Sequence, residues 1–149
     1  MLSGDLKCVR AYELNTYKLF RTYVDQSSER EHISAYVYND YGEGKLIDAE
    51  FNGIIRIWEF YSGNCSTIIN INKRIPLISV CVWNQDYLLI GCNDLKIRVI
   101  NLGNPDNVKI IGGHSTEVCS IAKINHPNLG ECILTQGIGE DQINLWISS

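Results

Sequence analysis

The sequence predicts an all-β chain built from repeated, four-stranded antiparallel units. Three features lead there. Four segments share one pattern of apolar, polar, apolar and large residues: LKCVRAYEL (6–14), NGIIRIWEF (52–60), DLKIRVINL (94–102) and EDQINLWIS (140–148). Their large residues, Tyr12, Trp58, Ile100 and Trp146, stand 46, 42 and 46 positions apart. Between them, short β-branched runs alternate with Gly, Asn and Asp, and no long stretch carries the 3.6-residue periodicity of a helical repeat.

A period of this length with strands throughout is that of β-propeller blades. The opening segment (1–25) supplies two strands, LKCVRAYEL and KLFRTYV (18–24), with Met1 leading almost directly into a third strand of a blade. The next repeat (26–72) reads HISAYVY (32–38), KLIDAEF (45–51), the aligned segment and CSTIININ (65–72). The third (73–113) reads LISVCVW (77–83), YLLIGC (87–92), the aligned segment and NVKIIGG (107–113). The last (114–149) reads EVCSIAKI (117–124), ECILTQG (131–137) and the aligned segment, without an outer strand. Thirteen strands are therefore expected. Turns are expected at 39–42, 61–64, Gln85-Asp86 and 103–106, where Gly, Asn and Asp supply positive φ or self-bonded reversals. Blades pack on both faces, which accounts for runs that are nearly continuously apolar. About three and a quarter blades predict a piece of a longer ring, whose uncovered end faces favour self-association or a complementary chain.

The composition narrows the partners. Of 149 residues, 45% are hydrophobic and 20% charged, with a net charge of −4. A nucleic-acid surface needs clustered cations, and the densest group here is Lys73-Arg74. No run of 18 apolar residues is present, and MLSGDLKCVR has no hydrophobic signal region. Six cysteines occur without a C-x-x-C pair, so they read as small apolar filler in a reducing compartment. Asn64-Cys65-Ser66 fits a glycosylation sequon by chance on that reading. A cytoplasmic protein is expected, with the nucleus as the other compartment.

Gly113-His114, Val118 and, 32 residues after the histidine, Trp146 resemble the opening and close of a WD repeat. IIRIWEF and QINLWIS are similar to that family's third strand. The resemblance covers essentially the whole chain. It implies a partial WD-repeat propeller and, in the last repeat, a hydrogen-bonded structural tetrad of His114, Thr135, Glu140 or Asp141, and Trp146. The physical logic is that a buried imidazole and a buried indole N–H need partners, and a linked network supplies them. The earlier repeats depart from the pattern. Glu29 and Arg74 fall near the histidine position, and Ile100 replaces the tryptophan. Glu59, Asn101 and Ile147 replace the aspartate of the WD pair. The turn acid is kept at Asp94 but is Asn52 one repeat earlier. A complete tetrad is expected once.

Candidate chemistry is sparse. His32, His114 and His126 are far apart, which predicts no metal site. The stretch from Gln136 to Glu140 joins two strands, so it reads as a turn and not a phosphate loop. Asp48, Glu50, Asp86 and Asp141 read as solvated loop acids instead of a glycosidase pair. No G-x-S-x-G elbow supports His114 and Thr135 as catalytic groups. The expectation is a non-enzymatic scaffold or adaptor without cofactors that binds protein partners and neither nucleic acid nor membrane. The resemblance implies partner loops at 25–32, 73–77, 113–117, 52–53, 93–95 and 138–141. There Arg30, Lys73 and Arg74 would meet an acidic partner. Two alternatives stay open: the regulatory or substrate-docking end of a larger enzyme, and a phosphopeptide reader. The latter would use Arg10, Arg56 and Arg98, for which structural pairing is the other reading.

Overall fold

The computed structural model describes residues 1–4, 8–24, 32–40, 43–71, 75–83 and 86–147; residues 3–4, 32–40 and 43 are described by their backbone alone. The described residues form fourteen strands and no helix. These are β1 (Leu2–Gly4), β2 (Val9–Tyr12), β3 (Leu19–Tyr23), β4 (His32–Asp40), β5 (Glu43–Glu50), β6 (Ile54–Glu59) and β7 (Cys65–Asn70). They continue with β8 (Leu77–Val82), β9 (Tyr87–Cys92), β10 (Ile97–Asn101), β11 (Asn104–Ile111), β12 (Val118–His126), β13 (Gly130–Gly137) and β14 (Ile143–Ile147). Every pairing is antiparallel between consecutive strands, giving sheets of three, four, four and three strands. This is an all-β chain of up-and-down sheets, compatible with a partial propeller.

The chain divides into two compact units, Met1–Ile75 and Pro76–Ser149, with two sheets in each. In the first unit Val9, Ala11 and Tyr23 pack against Leu46 and Trp58, with Leu2 and Phe60 at the margin. Tyr23 is fully buried and donates its hydroxyl to Phe60 O at 2.7 Å. In the second unit Leu89, Ile97 and Val99 pack against Val118 and Ile133, flanked by Ile121 and Trp146. β8–β10 are almost wholly buried, whereas β12 beyond Val118 and all of β14 are half-buried or exposed.

The repeat is visible in the irregularities as well as the strands. The first strand of three sheets slips register at one place: between His32 and Ser34, Leu77 and Ser79, and Val118 and Ser120. A second slip recurs between the last two strands of the first three sheets, at Ala11/Tyr12, Ile57/Trp58 and Ile100/Asn101. The first slip inserts one residue each time, and the second inserts one residue twice and three at 105–107; recurring at equivalent places, they add twist there and belong to the repeat's construction.

Two expectations are corrected. The first sheet has three strands instead of two, because Leu2–Gly4 pairs with Val9–Ala11. Leu-Ser-Gly has no apolar run to announce a strand; it is specified by its neighbour's free edge. The predicted turn at 103–106 is shorter, since β11 already begins at Asn104. Asn101 Oδ1 accepts from Gly103 N at 2.8 Å and Asn104 N at 3.2 Å, completing the reversal early. Pro105 is tolerated because β11 is an edge strand of its sheet, where a missing N–H breaks no ladder.

Gly91 marks a close approach of the sheets in the second unit. Ser79 donates its hydroxyl to Val118 O at 3.0 Å. A Cβ on Gly91 would stand 2.3 Å from Ser79 Oγ and 2.4 Å from that same carbonyl oxygen. Gly91→Ala is accordingly expected to destabilise the chain by about 1–3 kcal/mol, the cost of overpacking. Urea unfolding checks this, as a lowered midpoint with an unchanged slope.

Candidate functional site

The most connected polar cluster lies in the last repeat, where the segment before β12 meets the β13–β14 turn. His114 sits four residues ahead of β12 with its side chain almost wholly enclosed. Its Nδ1 lies 2.6 Å from Glu140 Oε2, and its Nε2 lies 2.7 Å from Thr135 Oγ1. Trp146 donates its indole N–H to the same hydroxyl at 2.8 Å. The proton directions follow from the inventory of groups. The Glu140 carboxylate can only accept, so His114 Nδ1 donates to it; in the neutral imidazole Nε2 then accepts from the Thr135 hydroxyl, whose oxygen accepts from the donate-only Trp146 indole. The imidazole is then the Nδ1–H tautomer and donates to Glu140. The relay thus runs in one sense from Trp146 to the carboxylate.

Glu140 gathers more than the histidine. Its Oε1 accepts from Ser115 N at 2.6 Å, Ser115 Oγ at 2.9 Å and Thr116 N at 3.2 Å; its Oε2 also accepts from Gly137 N at 3.1 Å. The hydrogen bond from His114, followed by those from Ser115 and Thr116, holds its carboxyl at about 2 against an ordinary 4.5, outweighing the opposing effect of burial. Gly137 makes this closure possible, since a Cβ there would stand 2.6 Å from the Glu140 carboxyl carbon. Gly113, at φ +138, lies beneath the Trp146 ring; an added Cβ would approach it to 3.2 Å. Asp141 takes no part in the relay: it is exposed and lines an adjoining polar cavity of about 470 Å³ with Ser115, Gln142 and Asn144.

Pairing registers identify the equivalent positions elsewhere. Thr135 pairs with Asn144, Ile90 with Arg98, and Asp48 with Arg56. In the third sheet the hydroxyl and indole are replaced by Ile90 and Ile100, both fully buried. The turn acid finds a different partner there. Arg98 makes two bonds to Asp94, at 2.8 and 2.7 Å, and these lower the Asp94 carboxyl below its usual range. In the second sheet the acid has moved two residues back: Glu50 pairs with Arg56 and accepts from Asn52 Nδ2 at 3.1 Å. Trp58 keeps the indole position, but its Nε1 is buried without an acceptor among the described residues.

Asp48 and Glu50 therefore correct the reading of solvated loop acids. Both lie in β5 with no exposed surface. The signal was available, since two acids stand inside an otherwise apolar run and an arginine inside the next. Without the register, nothing in the sequence joined them. Arg56 and Arg98 are likewise buried and ion-paired. Asp86 and Asp141 are exposed, as expected. Arg30, Lys73 and Arg74 lie outside the described residues, as does Glu29. Among the described residues no three His, Cys, Asp or Glu side chains come together to hold a metal ion.

No family model matches the chain. It is similar to the U3 small nucleolar RNA-associated protein 21 homolog of Schizosaccharomyces pombe, with 25% identity over 75 residues, covering 50% of this chain and 8% of that protein. It is also similar to cell division cycle 20.4, cofactor of APC complex, of Arabidopsis thaliana, with 24% identity over 127 residues, covering 78% of this chain and 27% of that protein. The chain thus matches about a quarter or less of the length of either relative.

Two substitutions test the relay. Thr135→Val keeps the shape and leaves the Trp146 N–H and His114 Nε2 without the hydroxyl, an expected loss of about 1–3 kcal/mol in chemical denaturation. Glu140→Gln tests the carboxylate through pH. Its folded value is depressed, so the stability it contributes is complete above about pH 4.5 and disappears as pH falls towards about 2. The variant should be less stable at neutral pH and lose that stretch of the acid slope, as read from melting temperatures at successive pH values.

Proposed function

We propose that this chain is a WD-repeat module, part of a β-propeller, that holds other proteins and does not itself catalyse a reaction. The observation that carries the reading is the one-way relay from Trp146 through Thr135 and His114 to Glu140. The regular strand slips and the turn acids of the earlier repeats support it. Likeness to a protein named as a cofactor of a complex supports an adaptor role in general terms.

A Thr–His–Glu chain resembles a hydrolase triad on paper. Its surroundings favour the structural reading. Thr135 is 1% exposed and already accepts the Trp146 N–H, which leaves a substrate no path to its oxygen. Glu140 serves five donors, so its carboxylate is committed to holding the turn. The relay makes a rigid base, and the loops it braces carry the exposed groups a partner would meet, Asp141 and Gln142 among them.

The pairing of Arg56 with Glu50 and Arg98 with Asp94 favours structural arginines over a phosphopeptide reader. A second functional reading rests on the small share of each relative that the chain matches: it would be the docking part of a larger enzyme. Quantitative affinity capture from cell extract tests the first. A partner recovered with the unaltered chain should be lost with Asp141→Lys and Gln142→Ala, both folded. A partner set indifferent to the rim, or one dominated by a single catalytic chain, would overturn the scaffold reading.

A further inference from the structure

The first unit carries a second surface that the relay does not explain. The β2–β3 hairpin, the β6–β7 turn and Met1-Leu2 line a groove of about 440 Å³, in which the Met1 ammonium donates to Tyr12 O at 3.1 Å. Ala11 is part of the groove's lining, and Tyr12, Phe20, Phe60 and Tyr61 give it an aromatic character. Phe20 stacks on Phe60 with centroids 5.4 Å apart, and Tyr61 stands nearly perpendicular to both. Phe20 and Tyr61 are nonetheless exposed, the latter at 65%. Burying such rings in the chain's own core would be favourable, so aromatic surface held open at an angle is a feature of ligand grooves.

The chemistry around the rings selects the occupant. Glu13 also lines the groove, exposed, with Oε2 accepting only the short-range bond from Thr16 at 2.7 Å among the contacts described. The nearby Arg21 guanidinium lies 5.8 Å from the Phe20 centroid, but it is directed into the β6–β7 turn by its bond to Ser62 O at 3.0 Å. The hairpin is held in shape by Tyr17 N bonding Glu13 O at 2.9 Å, with Tyr17 in the left-handed region at φ 55. That conformation costs a non-glycine residue of order 1 kcal/mol and fixes where Glu13 leaves the strand.

We propose that this groove binds a proline-rich peptide in the polyproline II conformation, with a basic residue beside the prolines. Proline rings are compact and apolar and their backbone is already ordered, so they fill angled aromatic slots at small entropic cost. The carbonyls of such a peptide have no internal partners, and Tyr12 and Tyr61 bring phenolic donors to the lining. Glu13 supplies the complementary charge for the basic flank.

This deepens the protein-binding reading and is tested apart from it. The probe is an acetylated hexaproline carrying a C-terminal arginine amide, titrated into the isotopically labelled full chain. Matched peptides end in glutamate or replace the prolines by alanine. Saturable amide shifts at Tyr12, Glu13, Phe20 and Tyr61 are expected. Tyr61→Ala should weaken binding about tenfold or more, as for loss of an aromatic anchor. Glu13→Gln should remove the preference for arginine over glutamate. No saturable shift overturns the proposal. So does equal binding of the alanine peptide, which would mark a plain cation site. If the groove stays silent while rim substitutions still abolish partner capture, the groove fails and the scaffold reading stands.

Discussion

In the last three sheets a carboxylate at or near the turn before the third strand must find donors, and much of the local architecture follows from how it does so. In the last repeat Glu140 collects a histidine, a hydroxyl and three backbone amides. In the third sheet Asp94 takes a two-bonded arginine from the strand it introduces. In the second, the acid is Glu50, held by Arg56 and Asn52. Each solution ties the turn to a side chain pointing inward from the third strand or from the segment entering the first. Glu50 has no exposed surface, and a charge left alone there would cost several kcal/mol, whereas Asp94 and Glu140 keep part of their surface in water.

These solutions are not equivalent in what they leave behind. The histidine relay satisfies the Trp146 indole, whereas Trp58 has Asp48, not a hydroxyl, at the matching register position and its N–H has no acceptor among the described residues. The third sheet avoids the problem by placing Ile90 and Ile100 at those positions, giving up the polar link for close packing. Gly137 shows how tightly the relay is built, since a methyl group there has no room beside Glu140, and at Gly113 one would press on the Trp146 ring at 3.2 Å. Rigidity at the base and exposed polar groups on the loops above it form the combination a binding module uses.

The likeness of four segments, the spacing of Tyr12, Trp58, Ile100 and Trp146, and the strands between them were legible because a strand announces itself locally. His114, Thr135 and Trp146 were legible for a similar reason: each stands at a set distance from a strand boundary. Glu140 and Asp141 were interchangeable by spacing, and the turn geometry around Gly137 and Gly139 brought Glu140 to the histidine. β1 escaped notice because its pairing with β2 depends on a neighbour's open edge and not on its own side chains.

By itself the sequence determined the all-β class, the repeat length, most strand positions and the residues available for one polar relay, since these rest on local pattern and chain spacing. Only the tertiary structure decided that Asp48 and Glu50 are buried, that Arg56 and Arg98 are consumed by ion pairs, and that Phe20, Phe60 and Tyr61 meet at one groove. The physical reason is the same in each case. Whether a charge is solvated, or a ring is covered, depends on what lies across the sheet or on the next turn, and pairing register is a long-range property.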